Sequence, residues 1–208
     1  MARKPLTKPR KSASQDRSRA TVDALVEATA RILVKEGFDR ASTNRIAETA
    51  GVSIGSLYQY FPGKDALVAA VIDRHTEDLM DVVRDTLAEV VEIPLESAVR
   101  RIVSVAIEAH RVDPKLHRVV AEQLPRSGTL EKVGVFNRRY FGLFRSYLEA
   151  HKAEIGRTDL DLAAFVCVTS IEAVTHNAVL NHSELLSDEG VEALVEEATR
   201  LVVSYLRA

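Results

Sequence analysis

Between Thr43 and Tyr60 the apolar and small residues stand at spacings that few backbones satisfy. Ile46, Ala47 and Ala50 share one face of a helix, because side chains three and four apart are neighbours there. Gly51 follows, the residue best able to take the positive φ that stops a helix and turns the chain sharply. Val52 and Leu57 then face back from a second short helix. Ala47 is small, as it has to be where two helices cross closely. Ser42 or Thr43 caps the first helix, leaving Arg45 and Glu48 on its outer face. The spacing predicts a helix-turn-helix over roughly residues 42–61.

The rest of the chain reads as helix too. Periodicity begins near Ser18, where Val22, Leu25, Val26, Thr29, Ile32 and Leu33 share a face, and Gly37 ends it. After Pro62-Gly63 a long helix carries Leu67, Val71, Leu79, Val82, Val83 and Leu87. Further helices are expected from Pro94 to Arg111, from Pro114 to Leu124, and near 129–151, 159–182 and 188–207. Strand alternation bounded by hairpin turns is missing. The expected fold is therefore all-α with about nine helices. Three regions are expected: a disordered basic arm over 1–15, a helix-turn-helix domain over 16–64, and a helical regulatory and dimerisation domain over 65–208.

Charge separates these regions. The 208 residues carry a net charge of −2. Residues 1–64 nevertheless hold 12 Lys and Arg against 6 Asp and Glu, and residues 65–208 hold 16 against 24. A basic head on an acidic body suggests that the head meets a polyanion. The single Cys167 excludes an intrachain disulfide and fits a reducing, cytoplasmic setting. Uncharged runs such as Leu162–Ile171 fall short of the roughly 20 residues a membrane span needs, so no membrane segment is expected. The basic N-terminus lacks the apolar stretch of a signal peptide.

The residues that the bihelical core does not use have their own chemistry. Gln59 both donates and accepts, which suits the edge of adenine in a major groove. Tyr58 and Tyr60 carry hydroxyls that can reach phosphate oxygens. Gly55 allows close approach to the backbone, and Lys64 offers a cation to a phosphate. The end of the first helix in KEGFDRAST, the phrase IAETAGVSIGSLYQYFPGKDAL and the length near 200 resemble the tetracycline-repressor (TetR) family. The resemblance covers Ser18 to about Ile72. It implies that Thr43, Asn44, Ser53, Gly55, Ser56, Tyr58, Gln59, Tyr60 and Lys64 sit at positions touching operator DNA. Where the family often has Ser or Asn, Gly63 precedes Lys64, a cap weaker by roughly a few tenths of a kcal/mol.

The body offers two surfaces. Leu194, Ala198, Leu201, Val202 and Tyr205 repeat at coiled-coil-like spacing, and Phe165, Thr169 and Ala173 interleave with small residues on the preceding helix. Two such helices from each of two subunits would make a four-helix bundle. These residues are the expected homodimer interface, which pairs two half-sites of a palindromic operator about 34 Å apart. Five of the eleven aromatics fall within 136–147. They form either a core stripe or part of an apolar cavity. The family resemblance implies a cavity for a small-molecule inducer, lined by Ile107, His110, Gln123, Phe136, Tyr140, Phe144, Phe165, His176 and Asn177.

No cofactor is expected. His110 and His117 lie seven residues apart, ~10 Å along a continuous helix and too far to share an ion, so no metal is expected. GxSxG, GxGxxG and Walker loops are missing, which argues against an enzyme. The leading expectation is a sequence-specific DNA-binding regulator, a repressor released by a small hydrophobic ligand that acts through the long helix 64–90. The alternatives are a ligand-independent regulator or activator of the same fold, and an all-α enzyme or interaction scaffold whose bihelical unit only packs.

Overall fold

The computed structural model describes residues 16–123 and 130–208, with side chains from residue 18 in the first stretch and from residue 138 in the second. The basic arm over 1–15 lies outside these residues. Among the described residues there are nine α-helices and no strand. They are α1 (Asp16–Glu36), α2 (Thr43–Ala50), α3 (Ile54–Tyr60), α4 (Lys64–Glu89), α5 (Leu95–Arg111), α6 (Pro114–Gln123), α7 (Leu130–Ala150), α8 (Leu160–Asn181) and α9 (Asp188–Arg207). Short 3₁₀ turns stand at Lys152–Glu154 and Ser183–Leu186.

The chain divides into two compact units. One ends at Thr76 and also takes in Lys115–Val133; the other comprises Glu77–Pro114 and Gly134–Ala208. The division falls inside α4, not at Lys64. The reason is the start of α4, where Ala66, Leu67, Val68, Val71 and Ile72 are buried in the first unit's core. Leu25, Val26, Ile32 and Leu33 of α1, Ile46 and Ala47 of α2, Leu57 of α3 and Val120 of α6 complete that core. Gly37 ends α1 at φ 80°, its N–H donating to Leu33 O at 3.0 Å.

In the second unit, α5, α7, α8 and α9 bury one apolar cluster. Leu95, Val99, Ile102, Val103 and Ile107 face Phe144, Leu148, Val168, Ile171, Val195, Val202 and Leu206 across it. The loop before α8 is fastened to the end of α9: Gly156 N–H donates to Leu206 O at 2.9 Å, and Arg157 Nε–H to Tyr205 O at 2.7 Å. A Cβ at Gly156 would stand 2.9 Å from Arg207 O, so only glycine fits this approach. The Glu154 carboxylate accepts from the Leu95 N–H at 3.2 Å and faces His151 Nδ1 at 3.0 Å. These bonds, with Arg207 nearby, hold its pKa below the usual carboxylate range.

α8 is a largely apolar helix. By length and composition it is apolar enough to cross a membrane. Uncharged runs missed it because Asp161 and Glu172 interrupt an otherwise apolar helix. Leu160, Ala163, Ala164, Cys167, Val168, Ile171, Thr175, Ala178 and Val179 are nevertheless buried in the second unit, and a core helix meets the same criterion. Burial pushes the Cys167 thiol up to about 12, which disfavours the reactive thiolate.

Candidate nucleic-acid interface

The helix-turn-helix is built by local rules. Ser42 caps α2, its hydroxyl accepting from Arg45 N–H at 3.4 Å. Gly51 stops α2 in the left-handed region at φ 69°, and Val52 N–H returns to Ala47 O at 3.0 Å. Ser53 caps α3 by accepting from Ser56 N–H at 3.1 Å, and its hydroxyl also pairs with that of Ser56 at 2.9 Å. Ser53 and Ser56 are therefore committed to holding the start of α3.

α3 turns two faces in opposite directions. Leu57 and Tyr60 are buried. Gly55, Tyr58 and Gln59 are exposed, together with Ile54. The Tyr58 hydroxyl lies 3.0 Å from Thr43 Oγ1 on α2, so the start of one helix latches the exposed ring of the other. Gln59 is exposed on the same helix. Asn44 is exposed at the start of α2. Beside it, Arg45 forms a 2.6 Å ion pair with Glu36, which keeps its guanidinium against α1.

Two of the residues expected to touch DNA have partners inside their own unit. Tyr60 is 7% exposed and donates its hydroxyl to Ser18 Oγ at 3.0 Å, so it ties α3 to the start of α1 instead of reaching a phosphate. Lys64 donates to Phe38 O at 2.9 Å, with its ammonium 4.0 Å from the Phe38 ring centroid. Its charge is used to hold the α1–α2 loop. Thr43, Asn44, Ser53, Gly55, Ser56, Tyr58 and Gln59 remain together on the outer side of α2 and α3.

In the second unit the expected pocket residues scatter. Ile107, His110, Tyr140 and Phe144 are buried. Burial pushes the Tyr140 phenol far above its ordinary value, and the Glu172 charge adds to this. His110 Nδ1 lies 2.7 Å from Ala106 O, and its ring is 5.2 Å from that of His176. Phe165 and Asn177 do not point inward: Phe165 is 52% exposed, and Asn177 is exposed with its amide donating to Ala173 O at 3.1 Å. Gln123 is buried in the first unit, and the Phe136 side chain lies outside the described residues. His110 and His117 do not stand on one continuous helix. α5 ends at Arg111 and α6 starts at Pro114, so helical rise gives no reason to exclude a shared ion. Within the first unit, His117 Nδ1 lies 3.1 Å from His75 Nε2.

The expected interface splits as well. Ala198 and Val202 are buried inside the second unit, because α9 turns that face towards its core. Phe165, Thr169 and Ala173 of α8 and Leu201 of α9 are exposed, and Leu194 and Tyr205 are half-buried. Leu162, one turn before Phe165, extends the exposed stripe.

A capped helix pair with an exposed outer face, in a chain that continues as a helical body, defines a helix-turn-helix protein. Residues 25–71 match the bacterial regulatory proteins of the tetR family, and residues 94–206 match the tetracyclin repressor-like C-terminal domain. The chain belongs to the TetR family of transcriptional regulators. The nucleoid occlusion factor SlmA of Haemophilus ducreyi is 29% identical over 116 residues, 56% of this chain and 55% of that protein. The chain thus spans about half the length of the curated relatives it matches. A TetR-family regulator from Mesorhizobium loti has a similar structure, with a TM-score of 0.74 at 20% identity, covering 91% of this chain and 98% of that one. The FadR regulator of Bacillus subtilis in complex with stearoyl-CoA gives 0.69 at 19% identity, covering 88% and 98%.

Proposed function

We propose that the protein is a homodimeric repressor that grips a palindromic operator through α3 and is released when a small hydrophobic ligand binds its second unit. The division of α3 carries this reading: Leu57 and Tyr60 hold the helix in place, while Gln59 and the latched Tyr58 face outward. Such a face suits base edges and phosphates. The exposed stripe of Leu162, Phe165 and Leu201 supports pairing with a second copy. A dimer acting on chromosomal DNA works in the cytoplasm.

The buried Ile107, Tyr140 and Phe144, with His110 and the nearby His176, support a ligand site that is apolar with a few polar groups. The FadR neighbour, solved with stearoyl-CoA, makes long-chain acyl-CoA the first ligand to test. Release requires the ligand to favour the DNA-free state. A tenfold loss of operator affinity needs about 1.4 kcal/mol of coupling.

Footprinting on the DNA flanking the protein's own gene tests the reading. A protected palindrome that disappears on adding stearoyl-CoA is the expected result. A palindrome indifferent to every hydrophobic ligand tried would leave a constitutive regulator, and no protected site would leave a scaffold. Deleting residues 1–15 should reduce the slope of log affinity against log salt by about 0.9 per lost phosphate contact.

A further inference from the structure

In the unit that holds the helix-turn-helix, only two large hydrophobic side chains are exposed among the described residues: Ile54, at 38%, and Tyr58, at 42%. Both are on α3, four residues apart, and therefore one above the other on the same face. Every other exposed large hydrophobic among the described residues belongs to the other unit.

Tyr58 has a polar reason to be outside, since its hydroxyl meets Thr43. Ile54 has none. It is absent from the apolar cluster that takes up Leu57, Tyr60 and Phe61, and from the half-buried side chains packed against that cluster. It holds no cap either, because Ser53 fills that role. A branched aliphatic at the first turn of a short helix loses χ1 freedom and offers less helix propensity than most residues in return. Together with Tyr58 it puts the unit's exposed large hydrophobics on one outward helix face, where a partner outside the protein can meet them.

The position of Ile54 specifies that partner. It stands on the outward face beside Gly55, whose missing side chain lets the helix approach a surface closely, and one turn before Tyr58 and Gln59. In a major groove, the apolar group displayed among hydrogen-bonding base edges is the C5-methyl of thymine. We infer that Ile54 is a specificity-determining residue that packs on a thymine methyl in each half-site. The inference rests on the proposal that α3 enters the major groove. It adds an apolar contact to the polar ones expected from Gln59.

The test uses the full-length protein and duplexes selected from a randomised library. In the best duplex, each thymine is replaced in turn by deoxyuridine, which keeps every hydrogen-bonding group and lacks only the methyl. One symmetric pair of replacements should weaken wild-type binding about fourfold per half-site, the loss expected for one buried methyl-sized group. Ile54→Ala should bind that duplex more weakly and be indifferent to the same replacement. Since Ile54 lies outside the core, the thermal midpoint of this variant should match that of the wild type.

If the protein selects a palindrome yet no deoxyuridine replacement matters, the thymine contact is wrong while groove binding stands. The same holds if Ile54→Ala keeps the full cost of the replacement. If no sequence is selected at all, both the contact and the DNA-binding reading fall.

Discussion

α3 and α8 both expose apolar side chains, yet the two helices do so in different ways. α3 has seven residues, with Leu57 and Tyr60 buried on one face and Ile54, Gly55, Tyr58 and Gln59 exposed on the other. α8 has 22 residues and buries nine of them, while Leu162 and Phe165 stand out to solvent among small and polar neighbours. On a short helix locked between Gly51 and Phe61, each position has one role. On a long core helix the same residue types serve packing, a partner copy or a ligand, and spacing alone cannot divide them. The difference shows that a site is legible in sequence where local backbone rules fix it.

The comparison breaks most visibly at Leu57, which is fully buried beneath the exposed face of α3. Leu57→Ala should cost about 2–5 kcal/mol of stability, measured by chemical denaturation. An effect below that range would mean that α3 is not anchored by its inner face. Next comes Phe165→Glu on α8. It should convert the proposed dimer to a monomer in light scattering and leave the helical content in circular dichroism unchanged. A variant that stays dimeric would remove Phe165 from the interface.

Gly51→Ala sharpens the contrast at the turn. A Cβ there meets nothing within 4 Å, so the cost is conformational only: about 1–2 kcal/mol for a left-handed residue at φ 69°. The smallest effect is expected in α8. Burial raises the Glu172 carboxyl above its ordinary value. The folded state thus holds that proton more tightly than the unfolded chain does. Stability from this group is fully present below the unfolded value and is lost as pH rises through the folded one. Glu172→Gln should remove this loss, so that the melting temperature of the variant exceeds that of the wild type at neutral pH and falls less as pH rises.

Much of the fold was legible because helix ends carry strong local signals. Gly37 and Gly51 take the positive φ expected of them, and of the two candidate caps, Ser42 and Thr43, it is Ser42 that caps. The errors share a physical cause. Neither residue type nor the family resemblance reveals that Ser18, 42 residues away, receives the Tyr60 hydroxyl, or that Phe38 O accepts from the Lys64 ammonium. Ala198 and Val202 repeat as a seam residue would, but α9 has one face for its own core, and they are on it. Phe165 and Asn177 were expected to line a pocket, and the rotation of α8 within its bundle sends both outward. Long-range packing, which no short spacing encodes, decided each of these cases.

The central claim is that the outer face of α3 reads bases. Changing one letter of the reader tests it most directly. Gln59→Lys replaces a partner suited to adenine with one suited to guanine. Selection from randomised duplexes with the wild type and with this variant should give two palindromes that differ at one symmetric position per half-site, adenine in the first and guanine in the second. Two identical palindromes would mean that Gln59 does not touch a base, and that α3 is not the reading helix.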